Sequence, residues 1–513
     1  MPRDSTSPAP NPSGRVGVGW FLAVITVMAV AGVVRTWQLH HFAFDHDEAF
    51  ELIYQSVDLG ELITRRDGFP PVYRMIVGSA LLVTGDDRAA RWVSVFAGVL
   101  CVGAVAVLAR QMAGPRAGLF AAGLLSVSAC HVLLSQHARA YALYVLLCSI
   151  VLTVGWRLRP LGEGVGGASR NWEWVAFLAI SWIALATHYL AAIPVALVGM
   201  MLLFERRGAE RARALGFGVL LAVLAAPLTV CLLGDVAEAP GYKFKVGFDK
   251  EAYAFSYYSL VSGFTLGPSV TELRELTPGA AIAAMAPWAA VVGVVTLVLS
   301  AAGWNRLSPR ARWWVAVLLV LPPFLAALLS VALQTGYNHR YIVWMLLPLT
   351  VLLAAGAALD RARPWATSAT LCLAALGVMA IANRHLDPRY FEHDFNAARE
   401  RIAQETADGP APIVVASPVY YSAAVHYAMP DAWGRVAITM NPEKQQNWDT
   451  ALAELWSEAN RGRPAFLVRE WYPDDHPRAA AGAEQLSRFN AEFIGRVCPN
   501  TELFRLPVLE PSR

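Results

Sequence analysis

Apolar stretches long enough to cross a bilayer recur from one end of this 513-residue chain to the other. A membrane helix needs about 17–25 mostly apolar residues. Eleven stretches read as spans, at 17–38, 88–109, 117–135, 140–157, 172–187, 189–204, 214–233, 284–302, 312–333, 341–359 and 365–382. The break at His188 suits either a kink or a loop. Residues 71–84 are too short and read as an interfacial or re-entrant helix. Charged residues make up 16% of the chain and hydrophobic ones 56%, whereas a soluble domain carries about 25% charge. The chain therefore reads as a polytopic membrane protein, and a net charge of +3 gives no reason to expect nucleic acid.

Basic residues orient the spans. With a cytoplasmic N-terminus, the inner loops hold Arg110 and Arg116; Arg157, Arg159 and Arg170; and Arg206, Arg207, Arg211 and Arg213. Arg306, Arg310, Arg312, Arg361 and Arg363 follow on the same side, while short outer connections keep only Arg139 and Arg340. This is a positive-inside pattern. Counting 71–84 as a span would reverse every later loop. The first span has a possible signal-peptidase site at Ala29-Val30-Ala31, but it is longer than a signal core and is expected to stay. The chain is thus expected in the inner (plasma) membrane, with its tail outside. Five of six cysteines fall in spans and only Cys498 in the tail, so neither disulfide framework nor zinc spacing can be assembled.

Four polar groups distant in sequence then meet one face: the 40–70 loop, Gln136-His137-Ala138-Arg139, Thr187-His188-Tyr189 and Asn338-His339-Arg340-Tyr341. The first loop holds Phe44-Asp45-His46-Asp47-Glu48-Ala49-Phe50-Glu51, carboxylates crowded at an interface where charge is costly. Such a carboxylate can take a proton from an acceptor hydroxyl while a lipid-linked donor is attacked. Equally, acidic residues can simply cap a juxtamembrane helix. The outer loop 234–283 is rich in aromatics (Tyr242, Phe244, Tyr253, Phe255, Tyr257, Tyr258, Phe264), suited to stacking on sugars or to an interfacial belt. Residues 1–15 read as a disordered tail. Residues 383–513 alternate strand patterns (413–416, 436–439, 465–468) with helical ones (394–406, 419–428, 448–460), a small α/β domain with no Gly-rich phosphate loop.

On these residues the chain resembles the polyprenyl-phosphate-sugar-dependent glycosyltransferases of the GT-C superfamily. The branch is that of protein mannosyltransferases, lipid A aminoarabinose transferases and bacterial lipopolysaccharide sugar transferases. The resemblance covers roughly 40–360 and rests on five marks in order. Asp47-Glu48 matches the acidic pair of the first outer loop. Gly68-Phe69-Pro70-Pro71-Val72-Tyr73 matches a Pro-Pro-aliphatic-Tyr stretch, and Arg88 to Arg91 precede a span. Ser135-Gln136-His137-Ala138-Arg139-Ala140-Tyr141 is similar to a segment that usually has Glu in place of His137; Thr187-His188-Tyr189 and Arg340-Tyr341 also have counterparts.

The span and tail patterns predict a mostly α fold, about 11 spans plus juxtamembrane helices over 16–382 and an extracytoplasmic α/β domain over 383–513; the resemblance implies a GT-C-like bundle with an outer catalytic loop at 40–87. It implies Asp47 as general base with Glu48 beside it, and Arg139, Arg340, Arg66 and Arg74 as ligands of the donor phosphate. Tyr73, Gln136, His188, Tyr189 and Tyr341 are the candidate substrate contacts. The expected donor is a polyprenyl-phosphate sugar, and the acceptor an envelope glycan, lipid or protein hydroxyl. The His46–Asp47 pair has donor types for a divalent metal, but His46, His137 and His339 lack ligand spacing, and no metal or other cofactor is expected. Open alternatives are an oligosaccharide ligase or polymerase using a lipid-diphosphate donor, and a transporter or flippase, which would place ionisable groups within the spans. Arg139 and Arg340 could also be mere headgroup anchors.

Overall fold

The computed structural model describes residues 17–58, 60, 70–158, 171–238, 250–332, 339–359, 363–391, 394–406, 412–417, 424–425, 428–429, 438–439, 463–471, 486–487 and 490–507. The helices are α1 (Val18–Thr36), α2 (His46–Ile53), α3 (Pro71–Thr84), α4 (Ala89–Ala113), α5 (Pro115–Ser126), α6 (Ala129–Gln136), α7 (Tyr141–Leu158), α8 (Asn171–Leu185) and α9 (Ala192–Glu205). They continue with α10 (Gly208–Glu238), α11 (Lys250–Ser262), α12 (Val270–Glu275), α13 (Pro278–Arg306), α14 (Pro309–Ala332), α15 (Leu346–Ala357), α16 (Pro364–Leu386) and α17 (Phe395–Glu405). Five strands close the chain: β1 (Ile413–Ser417), β2 (Ile438–Thr439), β3 (Ala465–Glu470), β4 (Glu492–Cys498) and β5 (Thr501–Leu506).

Among the described residues eight helices are long and apolar enough to cross a membrane, or nine if the pair α5–α6, bent by 59°, counts as one span. The chain is a multi-pass integral membrane protein. The two remaining expected spans are shorter apolar helices, Asn171–Leu185 and Tyr189–Glu205, because the chain turns at Thr187–His188. Residues 71–84 form a separate 14-residue helix. Pro71 sits at its first position, where a missing N–H costs nothing and a fixed φ favours the helix. The aromatic-rich stretch expected as a loop is largely helical where described: α11 occupies Lys250–Ser262, and Ser269 with Glu272 closes a capping box on α12.

Two compact units emerge. The first comprises Met1–Trp37, Ser56–Gly263 and Trp288–Ile381. Its core runs along α4, α5, α7 and α15, all rich in Ala, Val and Leu. At the α13–α15 crossing the backbones nearly touch. A Cβ on Gly303 would lie 1.9 Å from the Leu352 carbonyl oxygen, and one on Gly356 would lie 2.1 Å from that of Leu299. Small residues permit such crossings where lipid supplies no hydrophobic force between helices.

The second unit comprises Gln38–Gln55, Phe264–Pro287 and Ala382–Arg513. Its mixed five-stranded sheet has the order β2-β1-β3-β5-β4, with β1 parallel to β2 and β3, and β5 antiparallel to β3 and β4. Strands β1 and β3 are almost wholly buried, as near-continuous apolar runs require. Phe395, Ala398 and Ile402 of α17 pack with Phe466, Val468 and Leu503, and Ala49 of α2 joins that core. Side chains tie in the flanking segments: Thr271 Oγ1 donates to Asn500 Oδ1 (2.6 Å), Asn383 to the Thr265 carbonyl (2.8 Å) and the Tyr390 hydroxyl to the Gly267 carbonyl.

Candidate active site

Four sequence-distant segments converge within the first unit. The amide of Val72, in the first turn of α3 where no intrahelical acceptor exists, donates to the Ala186 carbonyl at 3.0 Å. This contact fixes the Pro70-Pro71-Val72-Tyr73 segment beside the His188 turn. Tyr73 Oη lies 2.9 Å from Ser94 Oγ, and Ser94 Oγ donates to the Arg139 carbonyl at 3.2 Å. A serine hydroxyl has a single proton, so in this relay Tyr73 donates to Ser94 and Ser94 to Arg139.

His188 caps the short 3-10 helix Tyr189–Ala191, its Nδ1 accepting from the Leu190 amide at 3.3 Å. That contact leaves the proton of the neutral ring on Nε2. The ring stacks on Tyr144 with centroids 4.7 Å apart and lies 5.5 Å from Tyr141. Burial and the Arg139 guanidinium push the imidazole down to about 4, so His188 is a neutral wall at physiological pH. Arg340 completes the cluster, its guanidinium carbon 5.7 Å from the centre of the Tyr141 ring. Arg139, Arg74 and Tyr73 are buried; Arg340, Tyr341 and Tyr189 are half-buried. The result is a group of cationic side chains against an aromatic and imidazole wall, a chemistry suited to anionic oxygens.

Gln136 is buried and occupied with structure: its Nε2 donates to the carbonyls of Arg35 (3.2 Å) and Trp37 (3.0 Å) at the end of α1. Arg66, Gly68, Phe69, Asn338, the 241–245 segment, the 1–15 tail and the 448–460 helix pattern lie outside the described residues.

In the second unit the carboxylates divide. Asp45 is the N-cap of α2; its Oδ1 accepts from the Glu48 amide at 2.8 Å, and Glu48 Oε2 accepts from the Asp45 amide at 3.2 Å. One oxygen of each is thereby spent on a capping box. Asp47 is not a member of that capping box. Its carboxylate is 3.8 Å from His46 Nε2, with the side chain 23% exposed. Ala49, next but one to Asp47, is fully buried in the core with α17, so the helix that presents Asp47 is anchored by the C-terminal sheet unit.

Sequence reasoning passed over four members of these clusters. Tyr141 closes the quoted Gln136–Tyr141 segment and could have been named from it. Tyr144 is one helical turn further along α7 and shares its face. Ser94 gave no signal, being a small polar residue in an apolar span. Arg35 did give one, as a cation in the last turn of α1.

Known structures bear on the whole arrangement. ArnT from Cupriavidus metallidurans in the apo state superposes on 96% of this chain and 99% of its own, at 16% identity and a TM-score of 0.57. The fold is that of ArnT. The structure of ArnT bound to undecaprenyl phosphate covers 97% of this chain and 100% of its own, with 16% identity and a TM-score of 0.56. AglB, the archaeal oligosaccharyltransferase from Archaeoglobus fulgidus in complex with an inhibitory peptide and a dolichol-phosphate, covers 88% of this chain and 69% of its own, at 10% identity and a TM-score of 0.51. No protein-family model and no curated protein sequence matches the chain. The mostly helical membrane bundle with a small C-terminal sheet unit, expected from sequence, is thus found, and ArnT shares this fold along nearly its full length.

Proposed function

We propose that this protein is an inverting membrane glycosyltransferase that moves a sugar from a polyprenyl-phosphate donor to a hydroxyl of an envelope glycan, lipid or protein. The observation that carries this reading is the convergence of Arg139, Arg340, Tyr141 and His188 in a fold shared with ArnT, a protein known with undecaprenyl phosphate bound. An acceptor hydroxyl is a weak nucleophile until a base takes its proton. Asp47 is that base: half of the Asp45 and Glu48 oxygens serve the helix cap, whereas Asp47 stands outside it. The acceptor oxygen attacks the anomeric carbon and its proton passes to Asp47. The bond from that carbon to the phosphate oxygen breaks, and its electron pair leaves with the lipid phosphate, inverting the configuration. Arg139 and Arg340 neutralise the charge that develops on the leaving phosphate. Arg66 and Arg74 are secondary phosphate ligands, Glu48 supports Asp47, and Tyr73, Tyr189, Tyr341 and His188 shape the substrate wall.

Arginine distribution supports a topology with the N-terminus in the cytoplasm and the 40–87 loop and residues 383–513 outside. An impermeant thiol reagent should then label Glu492→Cys, on an exposed edge strand, in intact spheroplasts; protection would reverse the orientation.

The function is tested by mass spectrometry of polyprenyl-phosphate sugars and envelope glycans in a deletion strain and in that strain carrying Asp47→Asn. One lipid-linked sugar should accumulate, and one glycan residue should vanish, in both. A normal profile in an expressing deletion background would refute the proposal. Restoration by Asp47→Asn would remove the base and leave the fold with another task, such as lipid translocation.

A further inference from the structure

Arg35 is a fully buried cation in a membrane span, and among the described residues its partners are all neutral. Nη1 donates to the carbonyls of Ala31 (3.0 Å) and Ser126 (3.2 Å), and Nη2 to that of Leu125 (3.2 Å). Nη2 also lies 2.7 Å from His131 Nδ1, and Nε donates to Ser135 Oγ at 3.2 Å. Arginine cannot accept a hydrogen bond, so His131 Nδ1 is the acceptor. A charge buried without a countercharge is expensive, and its placement here answers a specific need. Leu125 and Ser126 end α5, just where the span breaks and turns by 59° into α6. The last carbonyls of a helix lack intrahelical partners and carry the negative end of its dipole. Arg35 caps those carbonyls while gripping α6 through His131 and Ser135.

Space is reserved for the grip: a Cβ at Gly98 would lie 2.1 Å from Ser135 Oγ and 3.1 Å from Arg35 Nε. Gln136, the last residue of α6, returns its amide to the Arg35 carbonyl. Arg139 follows three residues later, a reach of about 10 Å, with its own carbonyl held by Ser94. We infer that Arg35 is a positioning residue, which locks the α5–α6 break so that Arg139 meets the donor phosphate. This role rests on the reading of Arg139 as a phosphate ligand.

The test is a double-mutant cycle on purified full-length protein, reading Kd for undecaprenyl phosphate with undecaprenol as the uncharged control. Arg139→Gln should weaken binding roughly 10–100-fold, as loss of a charged hydrogen-bond pair predicts. Arg35→Lys, which keeps the charge but not the fork of donors, should weaken it about tenfold in the wild-type background and not at all beside Arg139→Gln. Undecaprenol binding should be unchanged throughout. An equal effect of Arg35→Lys in both backgrounds, or a lowered melting temperature with Kd unchanged, would mean a purely structural role and overturn the inference. If Arg139→Gln leaves Kd unaltered, the phosphate reading itself fails and takes the positioning role with it. Should Arg35→Lys not fold, Ser135→Ala and Gln136→Met remove single contacts of the same network. Each should weaken binding only where Arg139 is present, and no effect from either would refute the role.

Discussion

Gly303→Ala should destabilise the protein by about 1–3 kcal/mol, although it adds one methyl group and improves helix propensity. The added Cβ would stand 1.9 Å from the Leu352 carbonyl oxygen and 3.0 Å from both the Leu352 carbonyl carbon and the Gly356 amide nitrogen. All three are backbone atoms of a rigid helix, so α13 and α15 must separate by about 1 Å to restore ordinary contact. A gap of that size forfeits a quarter to a half of each dispersion contact of about 0.1–0.2 kcal/mol. Spread over the few tens of atom pairs of a helix crossing, the loss falls in the usual range for overpacking, about 1–3 kcal/mol. Gly293→Ala on the same helix is the control, because nothing lies within 4 Å of its Cβ position; it should gain up to about 1 kcal/mol from helix propensity alone. Reversible SDS titration of both variants in mixed micelles reads the difference. Gly356→Ala, whose Cβ would lie 2.1 Å from the Leu299 carbonyl oxygen, should behave like Gly303→Ala. Equal midpoints for Gly303→Ala and Gly293→Ala would refute the close crossing.

Asp47→Asn should leave expression and melting unchanged but lower transfer by roughly 10²–10⁴-fold, the usual worth of a general base; normal turnover would remove Asp47 from the chemistry. Arg340→Lys keeps the charge and loses the planar fork, so turnover should slow with folding intact, and an unchanged rate would make Arg340 a headgroup anchor. Folded His188 binds its proton only near pH 4, whereas an unfolded histidine does so near 6.5. Stability is therefore complete above about pH 6.5 and falls as the pH drops toward 4, by at most about 1.4 kcal/mol per pH unit. His188→Asn should flatten that part of the stability–pH curve, and an unaltered slope would assign it to other groups.

The helices of the bundle were legible because lipid enforces a local rule: every backbone polar group must be satisfied within its own segment, so length and hydropathy locate spans directly. Where the rule relaxes, the reading loses resolution. The span at 117–135 is two helices, and Arg35 donates from another segment to the Leu125 and Ser126 carbonyls at the break. The sheet unit obeyed different limits. Its buried strands β1 and β3 stood out as apolar runs, but the hairpin β4–β5 did not. Glu492, Phe493 and Arg496 face outward on an edge strand, and the register shifts twice between Phe493 and Cys498. Such irregularity erases the period-two pattern by which a strand is read.

Candidate site residues were legible in proportion to their chemistry. Arginine and histidine at span ends call for explanation in any membrane chain, and Arg139, His188 and Arg340 do fall in one cluster. What sequence spacing could not reveal is how the parts are held. Ser94 links Tyr73 to Arg139 across 45 residues of chain, and Arg35 reaches 100 residues to Ser135. Neither separation has a periodic signature. The acidic loop shows a different limit: spacing alone does not separate its four carboxylates in seven residues, and only the family resemblance singles out Asp47 with Glu48 beside it. The capping box then takes Asp45 and Glu48, Glu51 is buried, and Asp47 remains beside His46. A tally of charges would rank these residues together; the hydrogen bonds of the capping box set Asp45 and Glu48 apart from Asp47. If Asp45→Ala, which removes the cap, lowered transfer as severely as Asp47→Asn, the proposed choice of Asp47 as the base would be wrong.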